Sequence, residues 1–200
     1  MSRTLRALIL LLLVASCGGR GGPPPSSGVL DDACAILSAK PDYKRAFRAT
    51  ERRWGVPTHV QMATIHQESR FDGNARTPFR YVLGVIPMGR QSSAYGYSQA
   101  LDGTWEDYVK DTGRRRAKRN DIRDATDFMG WYMTGTRDRL GISLSDARNQ
   151  YLAYHEGRTG YARGTYNNKT WLLRVAGKVE DRSRMYQAQL ARCSGGRSLF

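Results

Sequence analysis

Residues 57–71 read PTHVQMATIHQESRF. Pro57 suits the first turn of a helix, and Val60, Ala63 and Thr64 recur along one stripe, so a helix is predicted over 57–69. Glu68 falls in its last turn, with Thr64 and Ile65 on the turn before and a loop of Ser69, Arg70, Phe71 and Gly73 after it. A carboxylate at the C-terminal end of a helix meets the negative end of the macrodipole, which disfavours its ionised form. Aromatic and apolar neighbours raise its pKa further by desolvation. A glutamic acid still protonated near neutrality is what a general acid requires. On these grounds alone, an ordinary surface glutamate near a helix end is the plainer reading of Glu68.

Helical periodicity extends on both sides. Asp31 or Asp32 can cap a short helix to about Ala39, and Pro41 opens a second over 41–54, with Tyr43, Phe47, Thr50 and Trp54 on one face and Gly55 as its stop. Residues 70–100 lose the period; the run Tyr81–Ile86 is read as a short hairpin strand or an ordered loop. Helices are then predicted over 103–112, from Asp121 to Leu140, over 146–156 with Ser145 as cap and Gly157 as stop, and in a last helix capped by Asn168 and running to about Arg192. Strands do not alternate with helices, which argues against a doubly wound α/β sheet.

The N-terminus reads as an address. Arg3 and Arg6 precede an apolar run, Ala7–Ala15, too short for a stable membrane span, and small residues follow. This is the pattern of a secretory signal peptide over 1–16. Val14-Ala15-Ser16-Cys17 resembles the bacterial lipobox, which implies lipidation of Cys17 and a membrane partner through that anchor. The stretch after it, GGRGGPPPSSG at 18–28, is a tether reaching about 35 Å at most. The domain proper is then 29–200. Gly18 rather than Asp after the lipidated cysteine favours, by resemblance to enteric-type sorting, an outer-membrane anchor facing the periplasm. Of the three cysteines, Cys34 and Cys193 remain as a pair in an oxidising space, and a disulfide between them is expected.

Composition narrows the partners. The 200 residues carry 32 Lys and Arg against 18 Asp and Glu, a net charge of +14. An acidic disordered chain is excluded, and anionic partners are open. Export makes nucleic acid improbable. The run RRRAKR at 114–119 is read as a solvated loop that can lean on anionic lipid or on the anionic peptide stems of a cell wall. His59 and His66 lie about 10 Å apart along a helix, too far to share one metal; no metal site and no cofactor are expected. Gly96-Tyr97-Ser98-Gln99-Ala100 approaches the G-x-S-x-G nucleophile elbow but lacks the last glycine.

Three segments, in order, carry a resemblance. His66-Gln67-Glu68-Ser69-Arg70-Phe71 resembles the E-S-x-F motif of lytic transglycosylases with the lysozyme-like SLT fold. Tyr95-Gly96-Tyr97-Ser98-Gln99-Ala100 resembles that family's G-L-M-Q-I segment, and Asp102-Gly103-Thr104-Trp105 its P-x-T-W continuation. Tyr151-Leu152-Ala153-Tyr154-His155-Glu156-Gly157 resembles the A-Y-N-A-G segment. The resemblance covers about 45–180. It implies a mostly α, lysozyme-like domain with an active-site cleft and at most a small hairpin. It also implies an enzyme that cleaves the β-1,4 bond between N-acetylmuramic acid and N-acetylglucosamine in peptidoglycan, leaving 1,6-anhydro ends. Glycan strands would be the partner, and the chain would act as a monomer.

Carried over residue by residue, Glu68 would be the single acid and base. Gln99 would contact the sugar's acetamido or hydroxyl groups, Tyr154 would hydrogen-bond or position Glu68, Ser69 would support the cleft, and Tyr97 would line a saccharide subsite. Asp72 and Asp102 are nearby carboxylates without an assigned role. His155 and Glu156 depart from the family's Asn and small residue, and the insert 74–94 is longer than a minimal loop. The alternatives are a non-catalytic peptidoglycan-binding lipoprotein and a hydrolytic muramidase on the same fold.

Overall fold

The computed structural model describes residues 24–83 and 86–195. The predicted signal peptide, Cys17 and most of the tether lie outside them. The described chain opens with a 3-10 turn, Ser27–Val29, which overlaps the last residues assigned to the tether. Seven helices follow among the described residues: α1 (Ala33–Ala39), α2 (Pro41–Trp54), α3 (Thr58–Ser69), α4 (Asp102–Thr112), α5 (Ile122–Leu140), α6 (Ala147–Ala162) and α7 (Thr170–Gly195). Between α3 and α4 stands one antiparallel hairpin, β1 (Phe79–Val82) with β2 (Ile86–Arg90). This is the mostly α architecture with a small hairpin that the sequence implies.

Local chemistry sets the boundaries. Asp32 caps α1 by accepting the backbone N–H groups of Cys34 and Ala35. α2 has Pro41 in its first turn and Asp42 beside it, Arg52 and Arg53 at the far end, and Gly55 in the left-handed region as stop. Asp121 caps α5. Two expected caps are corrected. Asp146, not Ser145, caps α6, because its carboxylate takes both the backbone and the side-chain N–H of Asn149. Asn168 does not cap α7; it belongs to a 3-10 turn, Thr165–Asn168, and the helix starts at Thr170. Gly157 interrupts α6 with φ 74° and ψ 155°, and the chain regains helical geometry as far as Ala162.

α3 is the central helix. The single stripe read from the sequence understates its burial: Val60, Gln61, Met62, Ala63, Thr64 and Ile65 are all covered. Its polar members donate to backbone carbonyls, while the buried Gln61 Oε1 has no partner among the described residues. Gln61 donates to the carbonyls of Phe47 and Val56, and Thr64 to that of Val60. α2 lies against α5, and α7 lies against both α3 and α6. The bridge between Cys34 and Cys193, with Cα atoms 6.2 Å apart, fastens α1 to α7.

Two aromatic clusters fill the rest of the core. Tyr43, Phe47, Phe71 and Tyr97 form one, and Trp105, Tyr108, Phe128, Trp131, Tyr132 and Tyr154 the other. Asp127 ties α2, α4 and α5 together. It accepts from Trp54 Nε1 at 2.9 Å, Tyr108 Oη at 2.7 Å and Arg53 Nη1 at 3.1 Å.

Candidate active site

Glu68 ends α3, and the turn that follows fixes its direction. Arg70 and Phe71 both take positive φ, 50° and 63°, a conformation costing roughly 1–2 kcal/mol per non-glycine residue. Burying the Phe71 ring offsets this by about 1.5–3 kcal/mol. That ring is fully covered and stacks on Tyr43 at 5.9 Å. The chain therefore turns sharply after Glu68 because Phe71 is drawn into the core.

The Glu68 carboxyl is itself largely covered, and its pKa is pushed up to about 7 by that burial. Tyr151 of α6 acts in the opposite direction, its hydroxyl favouring the ionised carboxyl. Burial is the larger cause and Tyr151 the smaller, and no carboxylate among the described residues acts on the Glu68 carboxyl. The expectation of a carboxyl raised by desolvation at a helix end is met.

The 96–99 loop is tied to α6 by the Tyr154 hydroxyl. It is held at several points. Gly96 N–H donates to Ala75 O at 3.0 Å, and Tyr97 N–H to Arg119 O at 3.2 Å. Gly96 has φ 79°, and a Cβ there would lie 2.1 Å from the Arg119 carbonyl oxygen, so only glycine fits. Arg119 also donates to the carbonyls of Ser93 and Ala100 and pairs with Asp102 at 2.6 Å. Asp102 is thus committed to Arg119, and Asp72 accepts the Asn74 N–H.

Several assigned residues sit differently from expectation. Tyr154 donates to the Ser98 carbonyl at 2.6 Å rather than to Glu68; the phenol that lowers the Glu68 pKa is Tyr151, three positions earlier on α6. Tyr154 remains close enough for the Glu68 charge to raise its own pKa, so it holds the loop beside the carboxyl. Tyr97 lines no saccharide subsite. Its ring is 2% exposed, packs edge-on to Tyr43 and shares a hydrogen bond with the Tyr43 hydroxyl at 3.1 Å.

Gln99 gives both amide hydrogens to backbone, to Ala75 O at 3.0 Å and Gly96 O at 2.8 Å, which leaves its Oε1 as the group to offer a ligand. Ser69 is buried and donates to Ile65 O of its own helix. The nucleophile-elbow pattern is not realised. Ser98 is fully buried, and its Oγ has no hydrogen-bond partner among the described residues.

The two departures from the family pattern have structural uses. Lys169, Thr165 and His155 hold Glu156 as a carboxylate, with its pKa lowered to about 2. This clamps the 3-10 turn onto α6. His155 packs edge-on to Trp171 at 5.2 Å. His59 shares a hydrogen bond with Ser183 at 2.8 Å, and His66 packs on Phe71, so the two histidines have separate surroundings.

Tyr151 is the residue beside Glu68 that the sequence reading left without a role. Its signal was present as a second tyrosine one helical turn before Tyr154, on the same face of α6. A buried, protonatable carboxyl steadied by a phenol, beside a loop pinned by glycine and arginine, is an arrangement for proton transfer. The chain matches the model of the transglycosylase SLT domain over residues 5–193. The chain belongs to that family. No match was found among curated proteins. The SLT domain connects the helical fold to peptidoglycan as substrate and to transglycosylase-type lytic activity in general.

Proposed function

We propose that the chain is a peptidoglycan lytic transglycosylase that cleaves the N-acetylmuramic acid–N-acetylglucosamine β-1,4 bond with Glu68 as its only acid and base. The observation that carries this reading is the Glu68 carboxyl, raised to about 7 by burial with no carboxylate among the described residues acting on it. Ordinary glycosidases need two carboxyl groups, one acid and one base or nucleophile. One suffices when the attacking group is the sugar's own 6-hydroxyl. Glu68 protonates the glycosidic oxygen as the C1–O bond breaks. As carboxylate it then takes the 6-hydroxyl proton while O6 bonds to C1, which returns Glu68 to its acid form. No water is consumed. The 2-acetamido group of the substrate stabilises positive charge between the steps.

Tyr151 suits this cycle because its hydroxyl stabilises the carboxylate that exists between the two proton transfers. Tyr154 keeps the Ser98–Gln99 backbone in place. Export and anchoring through an acylated Cys17 belong to the same proposal, supported by residues 1–17 of the sequence. The test is digestion of purified peptidoglycan, with products read by mass spectrometry. Ends lighter than reducing ends by one water establish the lytic route. Reducing ends sink it in favour of a muramidase, and an absence of products with the protein still bound to the wall sinks it in favour of a binding module.

A further inference from the structure

Away from Glu68, a trough of about 630 Å³ along α2 is lined by a cluster of arginines. Its walls carry Arg45, Arg48, Arg52 and Arg53 of α2, Arg114 of the α4–α5 loop and Arg123 of α5. Part of this charge has a structural use. Arg53 and Arg114 reach Asp127 at 3.1 and 3.5 Å, and Arg114 also reaches Asp124 at 2.7 Å. Arg45 pairs with Asp42, and Arg123 lies 3.7 Å from the same carboxylate.

Arg48 and Arg52 differ. Both are exposed, and neither has a carboxylate partner among the described residues. They stand one turn apart on α2, where like charges repel. Glu51, their acidic neighbour on α2, bonds Thr58 instead. Six guanidinium groups face three carboxylates, Asp42, Asp124 and Asp127, leaving an excess of three positive charges. Arg115 and Arg116, on the loop that supplies Arg114, extend the basic face beyond the trough. Such charge weakens the fold and has no internal partner, so its use lies in an external anion.

The shape selects among anions. The trough is concave, with arginines on walls contributed by two helices and a loop. A flat layer of headgroups meets its rim, whereas a narrow chain bearing carboxylates enters it and is held by planar, forked donors. We propose that this trough binds the carboxylate-bearing peptide stems of peptidoglycan, through Arg48 and Arg52, at a place separate from Glu68. The inference rests on the peptidoglycan reading above.

The test compares the full chain with its Arg48→Gln/Arg52→Gln variant, which removes both charges and keeps helix propensity. Circular dichroism first checks that both are folded. Affinity is measured by co-sedimentation with intact sacculi and with glycan stripped of its stems by an amidase. The expected result is that the wild type prefers intact walls, that this preference shrinks with added salt, and that it drops about fivefold in the variant. Equal preference in the two proteins overturns the proposal. So does an arginine-dependent loss on phosphatidylglycerol vesicles without one on walls, which assigns the trough to a bilayer surface. The Glu68 reading is scored separately, by the product ends the wild type leaves. Anhydro ends with equal preference sink the trough alone, and changed preference without products sinks the enzyme alone.

Discussion

The Tyr151 hydroxyl and the Glu68 carboxyl act on one another where α6 packs on α3, and the hydroxyl favours the ionised form that burial opposes. Removing it should therefore move the carboxyl in a known direction. Tyr151→Phe is expected to raise the Glu68 pKa further and to slow turnover by about tenfold, because the carboxylate between the two proton transfers loses its donor. The check is a pH–rate profile of both proteins: the alkaline limb should shift upward in the variant. A limb that stays put, with turnover intact, would make Tyr151 a packing residue only.

The same carboxyl sets the profile of the wild type. With a pKa near 7, Glu68 is mostly protonated below neutrality and mostly ionised above it. Initial protonation of the glycosidic oxygen needs the acid form. The rate is expected to fall about tenfold per pH unit above 7. Solubilisation of labelled walls between pH 5 and 9 measures this, and a flat profile through pH 8.5 would contradict the assignment.

Stability should carry the mirror image. The folded pKa of Glu68 lies above its ordinary value of 4.5, so the folded state holds a proton that the unfolded state releases. Its contribution is fully present below about 4.5 and is lost as pH rises through about 7. Glu68→Gln removes this dependence. The variant is expected to be more stable than the wild type above pH 7, on the order of 1–3 kcal/mol, while turnover drops by roughly 10²–10⁴. Denaturant melts at pH 5 and pH 8.5 separate the two proteins. An equal gap at both pH values would argue that Glu68 titrates normally.

Gly96 offers a test of the loop rather than of the acid. Its positive φ and the 2.1 Å approach to the Arg119 carbonyl leave no room for a methyl group. Gly96→Ala is expected to cost roughly 1–3 kcal/mol and to displace Ser98 and Gln99. Turnover should fall more than thermal stability suggests. A fully active Gly96→Ala would show that the loop's position is unimportant.

Reduction of the Cys34–Cys193 bridge opens a loop spanning 159 positions, for which chain entropy sets an upper figure of about 5 kcal/mol. Cys34→Ser is expected to lower Tm by roughly 10–20 °C. Scanning calorimetry with and without reductant reads it, and an unchanged Tm would mean that α1 is held by packing alone.

How much of this was legible in the sequence varies with the kind of information. α2 is found at the predicted 41–54, and Asp121 caps α5 as expected, because proline, aspartate and glycine act through the chain next to them. The caps of α6 and α7 went astray where two competent residues adjoin: Ser145 stands beside Asp146, and the carboxylate took the role by reaching Asn149 twice. Glu68 was legible as a candidate and its motif as a resemblance. The choice between Tyr151 and Tyr154 was not, since both lie on one face of α6 and only the packing of α6 on α3 decides which meets the carboxyl. Tyr97 was misplaced for a related reason. A tyrosine beside a motif reads alike whether it faces solvent or the hydroxyl of Tyr43.

The left-handed pair at Arg70 and Phe71 couples two properties that protein engineers would like to vary separately. Because the ring that anchors this turn is also a keystone of the Tyr43–Phe47 cluster, any redesign of that cluster re-aims the carboxyl two positions upstream of the turn. Thermostabilised descendants of this chain are better sought on the α1–α7 side, where the staple at Cys34 and Cys193 already separates robustness from catalysis.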